Sequence, residues 1–186
     1  MSNEMKDWIF DKIEEEKQIV AEYPFLRARD IDGTIDTEAK FPLMHLEIPN
    51  GWYQLFFQMC ADIKPLLKKE GIIDDFYFIQ VKEKYNELIC YSNCVASLEV
   101  EQVIQKYRYI SRFVCTECGR RATYETTGYL ASFCMDCWKD RVRHEKVNQI
   151  EFISTYEVEG FRDGKSYSRI VDVADEWNRY TEELNK

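Results

Sequence analysis

Apolar residues recur along this chain at two intervals, three to four residues in some stretches and two in others. Met5, Trp8, Ile9, Ile13 and Val20 follow the longer interval among charged neighbours, which predicts a helix over residues 5–22 that Pro24 ends. Residues 26–50 show neither rhythm and contain Asp32-Gly33, Pro42 and Pro49-Asn50-Gly51, so they read as an irregular connection. A strong stripe follows: Trp52, Leu55, Phe56, Met59, Cys60 and Ile63. Pro65 should kink or restart that helix, and Gly71 should close it. Residues 76–84 are rich in aromatic and branched side chains and predict a strand. Leu88 to Tyr91 reads as its partner across Tyr85-Asn86-Glu87. Ser97 suits the cap of a third helix through Ser111, with Val100, Val103, Ile104 and Tyr107 facing inward.

Beyond the third helix the segments are shorter. Arg121 to Thr126 and Tyr129 to Phe133 predict a small hairpin turning near Gly128, with a charged helix after Cys137 through Val147. Glu151 to Val158 reads as a strand, Asp163-Gly164 as a turn and Ile170 to Leu184 as a helix. Short strands flanked by helices make the expected class α+β: helices on a small antiparallel sheet, a metal module and a C-terminal strand–helix extension. The expected division is an α+β core over 1–112, a ribbon module over 113–140 and an extension over 141–186 packed on the core.

With 186 residues, 45% of them hydrophobic and 15% aromatic, the chain can bury one real core. No apolar run approaches the roughly 20 residues that span a bilayer. Met1-Ser2-Asn3-Glu4 has neither the basic start nor the apolar stretch of an export signal, so a reducing cytoplasm is the expected compartment. The net charge is -9, unevenly spread. Residues 106–146 hold nine Lys/Arg against five Asp/Glu, a basic island at +4, which leaves the rest of the chain at -13. An acidic body disfavours broad nucleic-acid binding and suits a protein partner with a basic surface. The island leaves a local nucleic-acid contact open.

Four of the seven cysteines carry the sharpest chemistry. Cys115-Thr-Glu-Cys118-Gly119 and Cys134-Met-Asp-Cys137 are two short pairs with fifteen residues between them. Each pair offers two thiolates from one tight turn, and two such turns close a tetrahedral S4 site that suits Zn2+. A closed site leaves no position for a reacting water, so the expected ion is structural. Gly119 fits the tight turn because it tolerates unusual dihedrals. Iron in the same cage, or a redox disulfide pair, are the competing readings. Cys60, Cys90 and Cys94 read as free thiols packed as small apolar groups.

Other constellations carry less. Asp30-Ile31-Asp32-Gly33-Thr34-Ile35 looks like the first motif of haloacid-dehalogenase-type phosphatases, but Leu26-Arg27-Ala28-Arg29 before it is no buried strand. It reads as an acidic turn, and no catalytic residue is expected. His45 and His144 sit in no nucleophile or hydrolase pattern. Alternation puts Gln80, Lys82 and Lys84 on one strand face, either a solvated face or a polar binding surface. Arg120, Arg121, Arg141 and Arg143 flank the cysteine pairs. With Tyr124, Tyr129 and Trp138 they could grip a nucleic-acid backbone and stack bases, or simply solvate a helix over core aromatics.

Several motifs occur in one order: Tyr23-Pro24, Gly51-Trp52-Tyr53 opening a helix, Gln80-Val81-Lys82-Glu83-Lys84-Tyr85, Leu88 to Tyr91, Cys-x-x-Cys-Gly and a second Cys-x-x-Cys. Over roughly residues 15–140 this resembles a family of small bacterial and phage proteins with a C-terminal four-cysteine zinc ribbon. Asn86 stands where that family usually has Gly, and Ile89-Cys90 where it has an Arg–aromatic pair. The left-handed turn survives with Asn, whereas any role of the missing Arg does not carry over. The resemblance implies no catalytic activity but does imply a phage or mobile-element setting. The expected function is therefore non-catalytic macromolecular binding, as an inhibitor or modulator of a host or defence protein. The alternative is a nucleic-acid-binding regulator that uses the basic ribbon face.

Overall fold

The computed structural model describes residues 3–93, 95–126, 129–144, 150–152, 155–162 and 165–172, with side chains described between Asp11 and Arg141 and at Ser168 and Ile170. The class is α+β, as the periodicities predict. The chain gathers into two compact units, one from 1–48, 57–82 and 89–105, the other from 49–56, 83–88 and 106–186. The units interleave because the division falls inside two helices and a hairpin.

In the first unit, α1 (Asn3–Glu22) ends ahead of Pro24, and a 3-10 turn follows over Pro24–Leu26. The segment read as irregular contributes one short strand, β1 (Leu46–Glu47), which pairs in parallel with β2 (Phe78–Lys84). The core sheet is therefore mixed, in the order β1-β2-β3, with β3 spanning Glu87–Ser92. Two residues are too few for a pattern to betray, so β1 is invisible in the sequence. Phe25, Phe76 and Phe78 pack edge to face, with centroids 5.2–6.1 Å apart.

Helix α2 (Tyr53–Glu70) runs unbroken through Pro65. The predicted kink or restart does not occur. Trp52, Leu55, Phe56, Met59, Cys60 and Ile63 are all buried, so tertiary packing outweighs the one backbone hydrogen bond that Pro65 removes. Gly71 closes the helix at φ +73, and the Ile72 N–H donates to the Leu67 carbonyl at 3.0 Å. α3 (Leu98–Ser111) starts after Ser97, whose hydroxyl accepts from the Val100 N–H at 3.4 Å.

In the second unit, Tyr85 (φ 56) and Asn86 (φ 60) form the two-residue turn of the β2–β3 hairpin. Glu87, predicted in the turn, is the first residue of β3. A three-stranded antiparallel sheet follows, in the order β5-β4-β6, from β4 (Tyr124–Thr126), β5 (Ser132–Phe133) and β6 (Ile150–Phe152). α4 covers Met135–His144 and so begins before Cys137 rather than after it. The extension differs from expectation. β7 (Thr155–Arg162) pairs with β8 (Lys165–Asp172), so Ile170 to Asp172 lie in a strand. Ile170-Val171 satisfies a two-residue period as readily as a helical one. The predicted turn at 163–164, and the rest of the predicted helix at 173–184, fall outside the described residues.

Candidate metal centre

The first cysteine pair sits on a tight turn closed by backbone. The Cys115 N–H donates to the Arg120 carbonyl at 2.7 Å and the Gly119 N–H to the Cys115 carbonyl at 3.0 Å. Gly119 holds φ +75, which only glycine adopts without strain. The second pair uses a helix start. Cys134 precedes α4, its carbonyl accepts the Trp138 N–H at 2.9 Å, and Cys137 lies in the first turn. The second pair is therefore set by the start of a helix, as the first is by a closed turn.

These two turns bring all four sulfurs within 4.8 Å of one another. Cys118 Sγ and Cys134 Sγ are 3.6 Å apart. A metal held by four thiolates at about 2.3 Å needs sulfurs about 3.8 Å apart, whereas a disulfide needs about 2.05 Å. The spacing fits a shared cation, and Cys115, Cys118, Cys134 and Cys137 are free of disulfides. The predicted ligand set is assembled and can hold a metal ion.

Arg120 spans both pairs. Its Nε donates to Cys118 Sγ at 3.4 Å and a terminal nitrogen donates to Cys134 Sγ at 3.4 Å. Its other terminal nitrogen donates to Asp136 Oδ2 at 2.8 Å. Burial pushes the Cys115 and Cys137 thiols up. Burial acts the same way on Cys118, but hydrogen bonds from Arg120 draw that thiol down to about 6. Under the site lie Phe133, Tyr124 and Trp138, the last two stacked at 6.0 Å. These aromatics pack the module, with Tyr124 and Trp138 half-buried against Phe133.

Two supports escape a reading of the cysteine spacing. Gly51 approaches the first turn so closely that a Cβ there would lie 2.1 Å from the Cys115 carbonyl oxygen and 2.6 Å from the Gly119 nitrogen. The Gly51 N–H donates to the Thr116 carbonyl at 2.8 Å, and Trp52 Nε1 donates to the Val114 carbonyl at 3.1 Å. The Gly-Trp pair is thus the bed of the metal turn as well as the start of a helix. Asn86, fully buried, donates through Nδ2 to Glu125 Oε1 at 2.9 Å and Ser132 Oγ at 2.6 Å, tying the hairpin tip to β4 and β5. Side-chain length at a left-handed turn was the only signal available for it.

The candidate binding residues are largely engaged within the chain. Gln80 donates to Glu47 at 3.1 Å, Lys82 lies 5.5 Å from the Tyr91 ring centroid, and Lys84 lies 5.2 Å from that of Tyr85. Phe78 and Val81 are both buried, so neither face of β2 is wholly solvated. Arg141 pairs with Glu117 at 3.3 Å and lies over Phe133. Arg121 bridges by backbone to Val114, with its Nε buried. Arg108 and Arg112 both bind Glu87. The Arg143 side chain lies outside the described residues.

The Asp30–Ile35 segment is a self-closed exposed turn. Asp32 Oδ1 accepts from the Thr34 N–H at 2.9 Å and from its hydroxyl at 2.7 Å, which lowers the Asp32 carboxyl. Comparison with protein-family models, curated proteins and solved structures returns no match. No described helix is long and apolar enough to cross a membrane.

Proposed function

We propose that the four thiolates hold one structural Zn2+ and that the protein works without catalysis, by binding another protein in a reducing compartment. A closed S4 donor set favours zinc and leaves no coordination position for a substrate. The setting drawn from the resemblance, a phage or mobile element acting on a host or defence protein, gives this reading its most concrete form, that of an inhibitor or modulator. A chain of net charge -9 complements a basic surface on such a target.

One observation carries protein over nucleic acid as the partner. Cations of the basic island are neutralised inside the chain: Arg108 and Arg112 by Glu87, Arg120 by Asp136 and two sulfurs, and Arg141 by Glu117. Paired guanidinium groups release fewer counterions from a phosphate backbone than free ones do.

A tagged pull-down from cytosol, run with and without nuclease, tests this. The expected result is a dominant protein partner that survives nuclease. Recovery of nucleic acid, with binding that falls steeply with salt and is lost on neutralising Arg120, Arg121, Arg141 and Arg143, would transfer the function to the basic island.

A further inference from the structure

The first unit carries a cavity that the metal centre and its supports do not use. It is an open pocket lined by α1 and the 27–42 segment, with a volume of about 500 Å3, within the size range of small-molecule sites. Ile13, Val20, Ala28 and Pro42 give it apolar walls. Its charged lining runs against the molecule. In a chain at net -9, the cavity gathers Lys17, Arg27 and Lys40 against a single carboxylate, Asp36.

The cations are available. Among the described residues no carboxylate pairs with Arg27 or Lys40, and Lys40 lies 5.3 Å from the Phe41 ring centroid. Lys17 pairs with Glu14 at 2.7 Å, but both side chains are about half exposed, and such an i,i+3 surface pair is worth little. Asp36 is turned to its own loop, where it accepts from the Glu38 N–H at 2.9 Å. Apolar walls beside three cations, in a chain of net charge -9, complement an anion that carries an apolar body.

We propose that this cavity binds a small amphipathic anion, with its apolar body on Ile13, Val20, Ala28 and Pro42 and its carboxylate or phosphate head held by Lys17, Arg27 and Lys40. The inference draws nothing from the metal centre and stands whether or not a protein partner is found.

The test is calorimetric titration of the full chain with octyl phosphate and with octanoate, which separate the two head groups. Octyltrimethylammonium and inorganic phosphate serve as controls. One or both alkyl anions should bind saturably at one site, with neither control matching them. The Arg27→Gln/Lys40→Gln double variant should lose about tenfold in affinity while keeping its melting temperature. Ala39→Trp, which adds bulk to the pocket lining without removing a charge, should also weaken binding. Absent or non-saturable binding of both alkyl anions would overturn the proposal. Equal binding of the alkyl cation, equal binding of inorganic phosphate, or unchanged affinity in the double variant would do the same.

Discussion

A methyl group at position 51 would lie 2.1 Å from the Cys115 carbonyl oxygen and 2.9 Å from the Cys118 nitrogen. Both are backbone atoms of the metal turn, with no side chain able to move aside. Gly51→Ala should therefore cost about 1–3 kcal/mol and loosen the ion, read as a lower melting temperature and faster zinc transfer to a chelator. Arg120 acts through hydrogen bonds to two sulfurs rather than as a ligand. Arg120→Gln should weaken metal retention by roughly 10-fold or more while leaving one ion bound. Asn86→Gly would keep the left-handed turn but forfeit the bonds to Glu125 and Ser132, for a loss of about 1–3 kcal/mol in thermal unfolding. Cys60 and Cys90 behave in the opposite sense to Cys118, and Cys94 lies outside the described residues. Burial pushes Cys60 well above its ordinary range and Cys90 to about 12. A raised thiol contributes stability that is present below its unfolded value and lost as pH rises toward the folded one. At pH 8 both stay protonated, so iodoacetamide should label them only after unfolding.

At the scale of elements, the metal module depends on contacts that are distant in sequence. Its first turn rests on Gly51 and Trp52, and β4 gains a third strand, β6, from residues 150–152. Zinc binding can supply on the order of 10–16 kcal/mol to a module of this kind. Stripping the ion should open residues 113–140 to protease and change the emission of Trp52, whose indole N–H is held by the Val114 carbonyl. Unchanged cleavage after chelation would count against a structural ion. The elements legible in the sequence were those with strong local periodicity: α2, α3 and the β2–β3 hairpin all follow from spacing, one cap and one turn. The four ligands were legible because two short pairs need no long-range knowledge. Gly51 was legible only as a helix opener, because its close approach to the Cys115 turn depends on packing across more than sixty residues. α4 was placed late because Met135-Asp136 looks like spacer between ligands, yet it forms the helix's first turn. Ile170 to Asp172 were misplaced because a short apolar run fits either period.

For the whole molecule, charge carries more information than shape. The sequence places a +4 island in a -9 chain, and the structure pairs four of that island's arginines with carboxylates. An acidic chain should meet a basic protein target at rates that fall as ionic strength rises, and single rim charges should alter association more than dissociation. The proposed function rests on the ion. The most direct measurement is elemental analysis by mass spectrometry of the chain purified under reducing conditions, beside its Cys115→Ser and Cys134→Ser variants. One zinc per chain, absent from both variants, is the expected result. A metal-free chain, an iron-loaded one, or zinc that persists without these sulfurs would contradict it.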